Sequence, residues 1–346
     1  MQISLGSRLV GPNQPPLIIA ELSGNHNQDL NRGLAIVDAM AAAGAHAIKL
    51  QTYTADTMTL PGVHRIEDPH SLWYGRELHD LYQEAHTPWE WHKPLFDRAR
   101  AHGMLAFSSP FDETAVDFLE TLDVPAYKIA SFENTDWPLL RRVAATGKPV
   151  IMSTGASQLS EIAEAVQILR EAGCKDLILL KCTSTYPATP ENTNLRTLPH
   201  FQQLFPDCLV GLSDHTMGVG AAVAAVALGA CAVEKHVTLR RADGGVDSAF
   251  SLEPAEVAQL VTETERAWQS LGQVQYGVQR AEQNSRLYKR SLYVAQDIKA
   301  GDLFTKENLR VVRPGDGLPP RYYDQVLGKP ARQDLKASTP LTWEAL

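Results

Sequence analysis

Eight short apolar runs recur between residues 17 and 238, nearly all ending in a polar side chain and all followed by a stretch of helical character. They are LIIAEL (17–22), AIKLQTY (47–53), MLAFSSP (104–110), AYKIAS (126–131), PVIMST (149–154), LILLKCTS (177–184), CLVGLSD (208–214) and AVEKHVT (232–238). Short length, Val, Ile and Leu content and bounding Gly, Pro or Asp are the marks of parallel strands buried on both faces. Between them lie LNRGLAIVDAMAAAG, WEWHKPLFDRARAHG and QLSEIAEAVQILREAG, with apolar residues at spacings of three and four and a closing Gly. That pattern predicts amphipathic helices with glycine C-caps. Eight βα units in about 250 residues, with no paired hairpins among them, predict an α/β fold of the (β/α)8 barrel type. A doubly wound open sheet is the alternative, but the early GxGxxG of a dinucleotide binder is missing.

Composition narrows the partners. The chain has 346 residues, 44% hydrophobic and 21% charged, which is ordinary globular usage. No apolar run approaches the ~18 residues of a bilayer span, and no basic segment leads into an apolar one at the N-terminus. A net charge of −8 disfavours a nucleic-acid surface. Cys174, Cys182, Cys208 and Cys231 form no CxxC pair and sit in or beside apolar segments, as buried free thiols do. The expectation is a cytoplasmic protein with no membrane or nucleic-acid partner. Charge is divided unevenly: residues 1–284 carry a net −12 and residues 285–346 a net +4. The polar stretch GQVQYGVQRAEQNSRLYKR marks the change, so we place a barrel at 1–271, a linker at 272–290 and a second domain at 291–346.

A barrel gathers the C-terminal ends of its strands at one mouth. Glu21, Lys49, Gln51, Ser108, Lys128, Ser131, Ser153, Ser184, Ser213, His215 and His236 all stand near such ends. Lys49 and Lys128 lie within apolar runs, where an unpaired ammonium is costly, so an anionic partner is expected. With the serine hydroxyls they suit a seat for phosphate plus carboxylate. The competing use is a Schiff-base lysine, Lys128 or Lys235, as in an aldolase. His215 and His236 end consecutive strands about 4.8 Å apart. Together with Glu21 or Asp247 and water they suit manganese or a similar ion. The alternative is two hydrogen-bonded core histidines. Glu21 and Glu133 are candidates for metal ligand, general base or lysine partner. The segment from Thr54 to about Thr87 is long for a connection and carries Trp73, Tyr74 and Tyr82. Its length points to a functional loop, its aromatics either to sugar recognition or to packing on the helices.

The strings AELSGNHNQ, AIKLQTYTADTMTL, FSSPFDETAVDFLE, YKIASFENTD, LLKCTSTYPATPENTNL, GLSDHTMG and EKHVTL resemble the sialic acid synthase family. The C-terminal segment from RSLYVAQDIKAGDLF onward is similar to the small antifreeze-like (SAF, β-clip) domain that closes such enzymes. Within the family, SGNHNQ, LYQEAHTPWEWH and RADGGVDSAFS are closest to the pseudaminic acid synthase branch. The resemblance implies condensation of phosphoenolpyruvate with 2,4-diacetamido-2,4,6-trideoxy-L-altropyranose and water, giving pseudaminic acid and phosphate with C–O cleavage. An acceptor leading to N-acetylneuraminate or legionaminate is the alternative. By the same resemblance Lys49, Ser108, Lys128, Ser131, Ser153, Ser184 and Ser213 would hold phosphoenolpyruvate. His215 and His236 would bind Mn2+ or Mg2+. Gln51, Tyr186, Asp247 and Glu21 would face the N-acetylated amino-deoxy sugar, and Glu133 the attacking water. A homodimer with exchanged SAF domains is implied, in which Arg313 reaches the partner's barrel.

Overall fold

The computed structural model describes residues 1–346. A short hairpin, β1 (Ile3–Leu5) and β2 (Arg8–Val10), opens the chain. Eight strands follow: β3 (Leu17–Glu21), β4 (Ala47–Thr52), β5 (Leu105–Pro110), β6 (Tyr127–Ile129), β7 (Val150–Ser153), β8 (Leu177–Cys182), β9 (Leu209–Ser213) and β10 (Ala232–His236). All pair in parallel with their sequence neighbours, and β10 pairs with β3 to close the barrel. The (β/α)8 expectation therefore holds, strand for strand. Parallel pairing demands a crossover after every strand. Helices Leu30–Ala42, Trp89–Ala101 and Leu159–Glu171 supply three of them at the expected places. Each is closed by a glycine at positive φ, Gly44 (+86°), Gly103 (+76°) and Gly173 (+104°), the left-handed cap that lacks a Cβ penalty.

The hairpin is new relative to the sequence reading. Ile3, Leu5 and Val10 join the barrel's apolar core, and a Cβ added at Gly6 would meet Leu105 and Pro125, at the entry to β5 and β6, at 3.3 Å. It thus covers the end of the barrel opposite the mouth. Its two strands stand outside the repeat of apolar run and helix that marks the barrel strands in the sequence. The segment 54–87 is likewise not structureless: it holds helices Ala55–Met58 and Leu78–Ala85 and an Arg65–Glu77 bridge.

Residues Met1–Gly272 and Gln273–Leu346 form two compact units. The second contains the antiparallel pair β11 (Ser291–Val294) and β12 (Leu309–Val312) around its own core of Leu292, Val294, Ile298, Phe304, Val326 and Leu341. No helix is long and apolar enough to cross a membrane. All four cysteines are buried free thiols.

Candidate active site

A cavity of about 640 Å3 opens at the C-terminal mouth of the barrel. Strand parity decides what lines it, because successive side chains point to opposite faces. On β4, Lys49 and Gln51 point inward; on β6, Lys128; on β7, Ser153; on β8, Cys182; on β10, Glu234 and His236. Ser213 and His215 reach in from the end of β9, and Ser131, Glu133, Tyr186 and Asp247 from the loops above.

At the floor lies an ion network. Lys49 Nζ is 2.7 Å from Glu21 Oε2, 3.3 Å from Glu234 Oε1 and 3.3 Å from Ser109 Oγ. Lys128 Nζ donates to Ser153 Oγ (2.6 Å) and to the carbonyl of Ile129 (2.9 Å), and lies 3.8 Å from Glu234 Oε1. Ser213 Oγ donates to Glu234 at 3.2 Å. All four charged groups are buried, between 0 and 4% exposed. Burial opposes the charge of Lys49, but Glu21 and Glu234 outweigh it and raise its pKa. Lys128 has a weaker carboxylate partner and Lys49 as a repelling neighbour; burial brings it down to about 8. The two ammonium groups hold Glu234 well below the usual carboxylate range against its burial. Glu133 is the opposite case. Burial lifts it to about 7, only partly offset by Lys128, and its Oε2 is buried without a hydrogen-bond partner. A carboxyl poised near neutrality at the mouth of a pocket is equipped for proton transfer.

Glu21 is placed behind this surface rather than on it. Its Oε1 accepts from the Ser23 N–H (3.0 Å) and from Gln51 Nε2 (3.1 Å), so its free valences are largely used. Asp247 Oδ2 accepts from Ser23 Oγ and lies 3.4 Å from His236 Nδ1.

His215 and His236 face each other with ring centroids 5.2 Å apart, and Tyr186 and Phe250 pack against both. His215 Nδ1 donates to the Thr183 carbonyl at 3.1 Å, which fixes the tautomer and leaves the Nε2 lone pair free. His236 Nδ1 is buried and without a hydrogen-bond partner. Two unsaturated imidazoles beside a carboxylate fit a divalent cation. His215 and His236 are the side chains that would hold such an ion; no three His, Cys, Asp or Glu side chains are gathered into a ligand set.

Several other expected residues are elsewhere. Ser108 does not reach the pocket: its Oγ lies 2.6 Å from Thr52 Oγ1, which in turn bonds His92 of the surrounding helix layer at 2.8 Å. Parity puts its neighbour Ser109 beside Lys49 instead. Ser184 lies past the end of β8, where the chain has left the strand, and lines an adjacent cavity with Lys181 and Thr183. Cys182 lines both cavities. Lys235 points away from the barrel interior and is bound to Asp214, which takes it out of contention as a Schiff-base lysine. Arg313 is an exposed residue of the second unit, directly after β12. Missed by residue type alone were Glu234, Ser109 and Cys182. Counting back two from His236 finds Glu234.

The segment 54–87 supplies one wall of the cavity through Met58, Ile66, Trp73, Leu78 and Tyr82. Trp73 Nε1 donates to the Val246 carbonyl at 3.0 Å, and its ring lies 5.8 Å from that of Tyr186.

Comparison with known proteins agrees with this architecture. The NeuB family model matches residues 36–276 and the SAF domain model residues 289–346. A pseudaminic acid synthase of Campylobacter jejuni is 43% identical over 92% of this chain and 93% of its own length. One from Helicobacter pylori is 40% identical over 95% and 97%. Among solved structures, the N-acetylneuraminic acid (sialic acid) synthetase of Leptospira borgpetersenii superposes with a TM-score of 0.74 at 34% identity, covering 82% of this chain and 95% of that one. Barrel and C-terminal unit thus match two known families in the order in which they occur: the chain belongs to the NeuB family and carries a SAF domain at its C-terminal end.

Proposed function

We propose that this chain condenses phosphoenolpyruvate with 2,4-diacetamido-2,4,6-trideoxy-L-altropyranose and water to form pseudaminic acid and phosphate. The chemistry rests on one observation, the pair of buried ammonium groups ringed by hydroxyls at the barrel mouth. The choice of acceptor follows the two pseudaminic acid synthases that match nearly the whole chain.

Lys49 and Lys128, with Ser109, Ser131, Ser153 and Ser213, would seat the phosphate and carboxylate of phosphoenolpyruvate; Ser184 would approach from the adjacent cavity. Charge-assisted bonds of this kind are strong and directional. The lysines face Glu21 and Glu234, so their charge is already matched before substrate enters. A substrate with two anionic groups therefore needs further positive charge. His215 and His236 would hold Mn2+ or Mg2+, which when bound supplies Lewis-acid polarisation of the acceptor carbonyl. Arg313 of a partner subunit would supply the rest, in a homodimer with exchanged SAF domains.

Gln51, Tyr186 and Asp247 would position the open-chain sugar so that its aldehyde carbon meets C3 of phosphoenolpyruvate. The C2=C3 electron pair forms the new C–C bond while the aldehyde C=O pair moves to its oxygen, which takes a proton; C2 is left electron-poor, and water adds there. Glu133, ionised about half the time near pH 7, takes the water's proton. The hemiketal phosphate then breaks its C–O bond: phosphate leaves with that electron pair, the hydroxyl gives up its proton to the departing phosphate, and the 2-keto acid remains. Lys128 and Lys49 hold the phosphate throughout without a covalent bond. Glu21, saturated by Lys49, Gln51 and Ser23, keeps the network in place. Four unpaired thiols fit a reducing compartment, the cytoplasm.

Phosphate release with phosphoenolpyruvate and manganese, measured against the diacetamido-trideoxy-altrose, its legionaminic counterpart and N-acetylmannosamine, tests the reading. Fast release with the first alone, and a product of the matching mass, is the expected result. Release with one of the others only would keep the chemistry and replace the acceptor.

A further inference from the structure

We propose that the buried Asp214–Lys235 ion pair positions His215 and thereby sets how tightly the His215–His236 pair holds a divalent cation. The inference rests on the metal role given to these histidines above. Asp214 and Lys235 occupy the outward face of the same ladder whose inward face carries the site. Ser213 pairs in register with Glu234. Alternation then sends Ser213, His215, Glu234 and His236 into the cavity and Asp214 and Lys235 to the opposite side.

The ammonium of Lys235, 1% exposed, is saturated. It donates to Asp214 Oδ2 (2.8 Å) and to the carbonyls of Thr216 (2.6 Å) and Gly218 (3.0 Å), which uses all three of its N–H groups. Asp214 in turn accepts from the Thr216 N–H at 2.9 Å and donates its own N–H to the Glu234 carbonyl at 2.9 Å. The residues on both sides of His215 are therefore tied to one point, and that point is the side chain preceding His236. A well-packed apolar pair in such a place is often no less stable than an ion pair. An apolar pair cannot hold the 214–218 turn by directional bonds. Lys235 touches neither the cavity nor its contents, so it acts only through the path of the backbone that carries His215.

Isothermal titration of the full-length protein with Mn2+ tests this, using wild type, His236→Ala, Lys235→Met and the double variant Asp214→Asn/Lys235→Met. The double variant avoids an uncompensated buried carboxylate. We expect His236→Ala to lose the binding. Lys235→Met and the double variant should bind about tenfold or more weaker, as for other residues that orient metal ligands. Their KM for manganese should rise while kcat at saturating manganese stays close to wild type. A folded double variant with wild-type Mn2+ affinity would overturn the positioning role. So would failure of both variants to fold, which would assign the pair to stability. Equal binding by wild type and His236→Ala would instead overturn the metal role of the histidines.

Discussion

At the scale of single residues, two titrations define the working range. Burial raises Glu133 to about 7, so below that pH it is protonated and cannot accept a proton from water. Burial lowers Lys128 to about 8, so above that pH it loses the charge that is proposed to hold the substrate. We expect kcat/KM to follow a narrow bell with its acid limb near 7 and its alkaline limb near 8. Replacing Glu133 by Gln should cut turnover about 10²–10⁴-fold, leave the KM for phosphoenolpyruvate nearly unchanged and remove the acid limb. A Glu133→Gln profile that keeps the limb would assign it to another group. The lysines, Glu133 and the histidine pair were all legible in the sequence, since charge inside an apolar run stands out. Ser108 was chosen over Ser109 because both are serines and only strand parity separates them. Glu234 went unnoticed because VEKHVT offers two adjacent charges, of which one faces the site and the other the helix layer.

At the scale of elements, close approach of strands restricts what the barrel tolerates. A Cβ on Gly211 of β9 would sit 2.5 Å from the Ala232 carbonyl oxygen of β10 and 2.6 Å from Leu180 of β8. Backbone on a neighbouring strand cannot yield as a flexible side chain can. Gly211→Ala should therefore cost about 1–3 kcal/mol, read as a lower urea midpoint at unchanged slope. An unchanged midpoint would show that β9 and β10 can separate without loss. The turn after β3 shows how a motif works through bracing. Asn25, in SGNHNQ, is fully buried and donates to the Val237 carbonyl and to Ser251 Oγ, both at 2.9 Å. That ties the loop after the first barrel strand to the loop after the last. Apolar runs and helix periodicity made all eight strands readable. The hairpin and the helices within 54–87 were not, because they fall outside that repeat and are held by contacts elsewhere in the chain.

At the scale of the whole molecule, the question is how the basic C-terminal unit serves the acidic barrel. Arg313→Ala should raise the apparent KM for the sugar, and Glu21→Ala should inactivate by releasing Lys49 from its network. Neither variant alone builds a complete site if the domains are exchanged between subunits. If they are exchanged as proposed, a mixed dimer would pair the intact barrel of one chain with the intact SAF domain of the other. Unfolding and refolding the two variants together should therefore restore part of the activity. Absence of rescue, with mixed dimers verified by mass, would show that each chain completes its own site.

The sequence by itself determined the barrel, the order of its strands, the family and most of the charged residues that line the barrel-mouth cavity. Those features are written locally, in the burial demands of parallel strands and in side chains too polar for the places they occupy. Tertiary structure alone decided which of two neighbouring polar residues faces the cavity, and how the charges are shared among Lys49, Lys128, Glu21 and Glu234. It also decided that Lys235 braces the histidine turn instead of reacting. Those outcomes depend on register and on distances between strands far apart in the chain, where a shift of one residue turns every side chain to the other face.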